Sequence, residues 1–172
     1  MSFPIQLVAV GRLKKDSDYL QVGIAEYLKR LRPYARVSIV EVADEPISPT
    51  RTREQVIEAE GQRILSQMEK AGYTIALSER GQCLSSEALA HSLDQRGILQ
   101  GNPLNGGMPT GRPGPIIVIV GGPLGLSQTV IDRADWVLSL SPLTFPHQLV
   151  RLLILEQLYR AFKIQRNEPY HK

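Results

Sequence analysis

Residues 115–120 read PIIVIV. After the proline every side chain is a branched aliphatic, so a strand built from this run has no face to offer water. Such a strand belongs at the centre of a mostly parallel sheet with helices on both faces. The remaining sequence supplies the other layers. IQLVAV (Ile5–Val10), VSIVEV (Val37–Val42) and YTIAL (Tyr73–Leu77) are further short apolar runs, and a last strand falls around DWVLSL. Between them Tyr19, Leu20, Ile24, Tyr27, Leu28 and Leu31 recur at helical spacing. Thr52 to Ala71 reads as a long polar helix anchored by Val56, Ile64, Leu65 and Met68. Ser85 caps SEALAHSLDQR, and a short helix runs from Ser127 to Ala134. Strands alternating with helices predict an α/β fold.

The 172 residues predict one domain, 1–172, carrying a Gly/Pro-rich surface loop at 100–115, QGNPLNGGMPTGRPGP. No run of 18 apolar residues occurs, which argues against a membrane helix. The opening MSFPIQLVAVG has no basic stretch before its apolar residues and reads as a strand rather than a signal peptide. The single Cys83 rules out an internal disulfide framework and fits a cytoplasmic location.

The segment LTFPHQLVRLLILEQLYRAFK (Leu143–Lys163) imposes a second constraint. Its apolar residues point in nearly every direction around a helix, so the helix must be covered on nearly every side. One flank can pack on the sheet; in a chain this short the other is expected to pack on a second copy, giving a homodimer. Arg151 falls inside the apolar stripe with Leu155, Leu158 and Phe162. It either snorkels to solvent, or sits at a dimer seam or pocket where it needs an acidic, carbonyl or phosphate partner.

Ligands of parallel sheets bind beyond the carboxyl ends of the strands. Three loops are expected there: Ser78–Gln82, Gly121–Ser127 and Ser139–His147. In IVIVGGPLGLS a buried strand runs into Gly121, Gly122 and Gly125, which either make a tight structural turn or let a ligand approach the backbone. The pattern is neither the dinucleotide G-x-G-x-x-G nor a phosphate loop. In LSPLTFPHQ, Pro142 and Pro146 stiffen a loop that is either a plain connector or a frame presenting backbone groups to an adenine edge, with Leu143 and Phe145 on the ring. His147 opens a helix, where the dipole favours neutral imidazole; it either meets a substrate or anchors the loop. His91, His147 and His171 are too scattered for a metal site, so no metal is expected.

Charge is unevenly spread. Residues 12–36 carry seven Lys/Arg against three acids and residues 147–172 five against two, whereas 41–69 carry seven acids against three Arg. The two basic ends either form one polyanion-binding face or are separate solvated helix faces.

GGPLGLS, LSLSPLTFPHQLVRLLILEQLYRAFKI and the ending PYHK, together with QLVAVG, EYLKRL and EGQRIL, resemble the SPOUT-class methyltransferases that modify pseudouridine in large-subunit ribosomal RNA, the RlmH type. The resemblance spans nearly the whole chain. It implies a C-terminal trefoil knot, a homodimer, S-adenosylmethionine as cofactor and methylation of N3 of a pseudouridine in a 23S rRNA hairpin loop on assembled ribosomes. It places the cofactor against Leu77, Gly121, Gly122 and the loop Leu140, Ser141, Pro142, Leu143, Thr144 and Phe145. It places His147, Arg151, Tyr170 and His171 near the target base, with Arg151 beside the cofactor and RNA cleft. Lys14, Lys15, Arg30, Arg160, Lys163 and Arg166 are the expected phosphate contacts. Two positions depart from the family pattern: Leu124 stands where many members have Glu, and Glu168 where many have His. The rival reading is a non-catalytic ribosome-binding dimer on the same fold.

Overall fold

The computed structural model describes residues 3–14, 18–105 and 108–170. In chain order the elements are β1 (Pro4–Val10), α1 (Asp18–Leu31), β2 (Arg36–Val42), α2 (Arg53–Met68), β3 (Tyr73–Cys83), α3 (Ser86–Gln95), β4 (Leu104–Asn105), β5 (Met108–Pro109), β6 (Ile116–Val120), α4 (Gln128–Arg133), β7 (Trp136–Ser139) and α5 (His147–Gln165). Five strands form one sheet in the order β2-β1-β6-β3-β7, and every pairing in it is parallel. The IIVIV run is the middle strand, with all five residues buried, as its composition required.

Alternation along the strands sorts their side chains into two cores. Ile116, Val118 and Val120 join Ile5, Leu7, Tyr73, Ile75 and Leu77 on the face covered by α1, α3 and α5. Ile117 and Ile119 join Val8 and Val10 on the other face, under Ile64, Leu65 and Met68 of α2 and Val130 of α4. Truncating any of these strand side chains to alanine is expected to cost about 3 kcal/mol. The helix starts follow local chemistry. Thr52 and Gln55 form a reciprocal capping box at α2, and the hydroxyls of Ser85 and Ser127 accept the N–H groups of Ala88 and Val130.

Two expectations are corrected. Ser78–Gln82 is not simply a loop after the third strand: β3 continues to Cys83, its register with β7 shifting so that both Leu77 and Gln82 face Leu138. A Cβ on Gly81 would lie 2.5 Å from the Leu138 carbonyl carbon, so the irregular stretch needs glycine there to lie against β7. The segment 100–115 is not loop throughout, because β4 and β5 pair antiparallel within it. The two strands are short enough that Gly and Pro composition masks them. Among the described residues, no helix is long and apolar enough to cross a membrane.

Candidate functional site

The strand ends Leu77, Val120 and Ser139 open onto a cleft of about 820 Å³. One wall is the turn Gly121–Leu126, another the loop Leu140–Phe145, and a third the irregular part of β3 with the first turns of α2. Leu77, Gly121, Gly122, Leu140, Ser141, Leu143, Thr144, Phe145 and His147 all line it, whereas Pro142 does not. The sequence therefore brings two distant loops and one strand end to a single place.

Glycine is needed in the turn for two separate reasons. Gly125 has φ +88°, a left-handed conformation, and its N–H donates to the Gly122 carbonyl at 3.0 Å. Gly122 is crowded instead: a Cβ there would lie 2.8 Å from Oε2 of Glu60. Glu60 is 2% exposed, and its Oε1 accepts the N–H of Glu45 at 3.0 Å while its Oε2 has no partner. Burial pushes its carboxyl pKa up, and the Asp44 charge adds to this, against the Glu45 N–H bond and the Arg63 cation. One residue on, Gly61 packs against Ser127, so α2 braces the turn from behind at two consecutive positions.

In the facing loop, the Ser139 hydroxyl donates to the Ser141 carbonyl at 3.1 Å, and the Leu143 N–H donates to the Ser141 hydroxyl at 2.9 Å. These bonds fix the loop, while the Leu143 side chain is 72% exposed. His147 follows Pro146 as the first residue of α5. Its pKa is lowered, chiefly by burial and then by the charges of Arg151 and Lys14, with Asp44 opposing. The neutral imidazole expected from the helix start is thus favoured mainly by desolvation and neighbouring cations.

Arg151 is fully buried and does not line the cleft. Its Nη1 donates to Glu41 Oε1 at 2.9 Å, and its Nη2 donates to the carbonyls of Val10 and Gly11 at 2.9 and 2.7 Å. The guanidinium ties α5 to the ends of β1 and β2, with acidic and carbonyl partners of the kind its position in an apolar stripe demanded. Tyr170 lies elsewhere. Its hydroxyl donates to Glu156 at 3.1 Å and sits 3.2 Å from the Tyr27 hydroxyl, with its ring edge-on to Tyr159. Burial and the Tyr27 bond raise its pKa, keeping the phenol protonated. Nine helical residues, about 13 Å, separate His147 from Glu156. His147 opens α5, whereas Tyr170 packs against the middle of the same helix within one chain. His171 and Lys15 lie outside the described residues.

The basic ends of the chain do meet, around α1 and the end of α5. Arg30 lies over the Tyr27 and Tyr159 rings, Arg160 over Tyr170 and Arg166 over Tyr34. Two of these cations and a neighbouring lysine already have carboxylates: Arg30 binds Glu26, Arg160 binds Glu156 and Lys163 binds Glu168, at 2.6–2.7 Å. Glu168, which departs from the family pattern, also accepts the Tyr34 hydroxyl at 2.7 Å, so it straps the tail to the α1–β2 turn. Leu124, the other departure, lines the cleft.

A family profile described as "Predicted SPOUT methyltransferase" matches residues 3–171. This chain belongs to that family. Among similar SPOUT-family proteins is "Ribosomal RNA large subunit methyltransferase H" of Carboxydothermus hydrogenoformans, 46% identical over 172 residues, covering 98% of this chain and 99% of the relative. Proteins of the same name from Halothermothrix orenii and Pelotomaculum thermopropionicum are 47% and 48% identical over 171 and 172 residues, with the same two coverages.

Several cleft residues of this SPOUT chain carry little sequence signal. Arg53 and Ile57 of α2 and Gln128 and Ile131 of α4 line it, and Glu79 and Arg80 of β3 line it from within the expected Ser78–Gln82 segment. Their only sequence signal is position: each lies near the loop side of a strand or helix. Glu60 had a stronger signal, an acid at a buried helical position between Val56 and Ile64.

Proposed function

We propose that this chain methylates ribosomal RNA of the large subunit, using S-adenosylmethionine to modify N3 of a pseudouridine in a 23S rRNA hairpin loop on the assembled ribosome. The observation that carries the reading is the convergence of Leu77, Gly121 and the Leu140–Phe145 loop on one cleft, in a chain matched by its family along nearly its whole length. The residues suit the cofactor. Leu77, Val120, Leu140 and Phe145 give apolar walls for an adenine ring, and two loops rich in backbone N–H and C=O groups can read its edge. When bound, the cofactor supplies an activated methyl group on a sulfonium.

The protein's own work is then positioning. The Gly121–Leu126 turn and the 140–145 loop hold the methyl donor, and the target base has to be unstacked to reach it. His147, on the cleft wall and held neutral, is the group placed to take the N3 proton. Arg151 acts through the frame, holding the α5 N-terminus against β1 and β2. Tyr170 belongs near the target base by family pattern yet packs against the middle of α5, about 13 Å along the helix from His147, so the tail reaching this cleft comes from a second subunit. Supporting that homodimer, Leu149, Val150, Leu152, Leu153 and Tyr159 of α5 are only half-buried. Tyr19 and Val22 of the neighbouring α1 are 69% and 70% exposed. A C-terminal trefoil knot and a cytoplasmic location belong to the same reading.

The test is calorimetric titration with S-adenosylmethionine on the native protein and on Gly121→Trp, followed by methyl transfer to ribosomes lacking the modification. Binding and transfer by the native protein alone are expected. A native protein that binds ribosomes but neither binds the cofactor nor transfers methyl supports the non-catalytic rival.

A further inference from the structure

The expected phosphate contacts at the end of α5 are mostly engaged with carboxylates, and the cleft has cations of its own. Three arginines lie in or just before α2. Arg51 and Arg63 both bind Glu45, in the segment between β2 and α2. Arg53 lines the cleft and has no ion-pair partner among the described residues. Arg80, in the irregular stretch of β3, lines it too and is likewise unpaired. Both side chains are exposed, and among the described residues the one acid on the cleft wall is Glu79. Both arginines are thus exposed on the cleft lining without a carboxylate, while Arg51 and Arg63 are neutralised by Glu45.

We propose that Arg53 and Arg80 are this chain's phosphodiester contacts at the cleft, gripping the RNA backbone beside the base presented for methylation. The proposal rests on the reading of the chain as an rRNA methyltransferase and extends it to residues that reading does not use. A guanidinium takes two phosphate oxygens at once, and backbone contacts of this kind set register without reading sequence. The choice of RNA over the cofactor's carboxylate follows from placement. The cofactor's seat is built from buried strand ends and two loops, whereas both arginines stand at the solvent edge where a strand must enter.

The test uses the full chain and ribosomes unmodified at the target. The dissociation constant for ribosomes is measured by co-sedimentation across a KCl series at fixed magnesium, for native protein, Arg53→Gln, Arg80→Gln and the Lys replacements at both sites. The same proteins are titrated with S-adenosylmethionine. Each Gln variant is expected to weaken ribosome binding about 3- to 10-fold at low salt and to reduce the salt slope by about 0.7. The Lys variants, which keep the charge, should retain the native salt slope while losing part of the affinity, and cofactor affinity should not move. Weakened cofactor binding with an unchanged salt slope overturns the proposal in favour of a carboxylate clamp. Unchanged values throughout, or no ribosome binding by the native protein, also overturn it. The salt slope is read without turnover, so a native protein that binds ribosomes but transfers no methyl refutes the enzymatic reading separately.

Discussion

The guanidinium of Arg151, on α5, donates to the carboxylate of Glu41, on β2, across 110 residues of chain at 2.9 Å. The same guanidinium also takes the carbonyls of Val10 and Gly11, so one side chain closes the exposed ends of two neighbouring strands. Its burial depresses its pKa, with the Glu41 bond opposing, so the carboxylate and carbonyls are what make a buried cation tolerable.

Replacing Arg151 by Met should therefore destabilise the fold by about 3 kcal/mol, because two carbonyls and a carboxylate lose their donor. Glu41→Gln keeps an acceptor and should cost about 1 kcal/mol. Urea denaturation of both variants checks the order. An Arg151→Met protein as stable as native would show that the clamp contributes nothing to the fold.

Glu60 should make stability fall as pH rises. Its folded pKa is raised by burial, so the folded chain holds the proton more tightly than the unfolded chain. That contribution is fully present below the unfolded carboxylate pKa and is lost as pH climbs through the raised folded value. Glu60→Gln removes this titration while keeping an acceptor for the Glu45 N–H. Thermal melts from pH 4 to 8 should show the variant gaining on the native protein toward the alkaline end.

Gly122→Ala should weaken the turn, since its Cβ would meet the Glu60 carboxylate at 2.8 Å. A cost of about 1–2 kcal/mol is expected, with looser cofactor binding. Combining it with Glu60→Ala removes the obstructing oxygen. A double-mutant cycle should show a coupling of about 1 kcal/mol, and strict additivity would mean the contact is absent.

His147→Ala should lower kcat for methyl transfer about 10²-fold while leaving the ribosome salt slope alone. In the native protein, the rate should rise as His147 loses its proton and reach its plateau below the pH expected of an ordinary histidine. A pH–rate profile still rising through pH 8 would exclude His147 as the base.

The parts of the fold legible in sequence were those where burial leaves a pattern. IIVIV read as a central strand, and Ser85 announced its helix. The Gly-Gly turn and the Pro-stiffened loop pointed to one end of the sheet, and both line the cleft. The extension of β3 through SERGQC was hidden because a polar run beside a register break carries no strand period. Arg151 could be read as needing a partner, but not which one, since Glu41 becomes its neighbour only when β2 and α5 fold together. Arg53 gave no warning at all, and Arg80 only through its place in Ser78–Gln82: an unpaired arginine in sequence looks the same as one whose carboxylate is a few residues away.

The position of β6 also bears on how the chain is made. Ile116 pairs with Ile5 on one side and Tyr73 on the other, so the middle of the sheet is the third of its neighbours to be synthesised. Until residues 116–120 emerge, the facing edges of β1 and β3 have nothing between them. An unpaired edge of this kind is an invitation to wrong pairing, and closing it over such sequence distances is slow. Nascent chains arrested before residue 116 should therefore be protease-sensitive and prone to aggregate, whereas those released after the start of α5 can close the sheet.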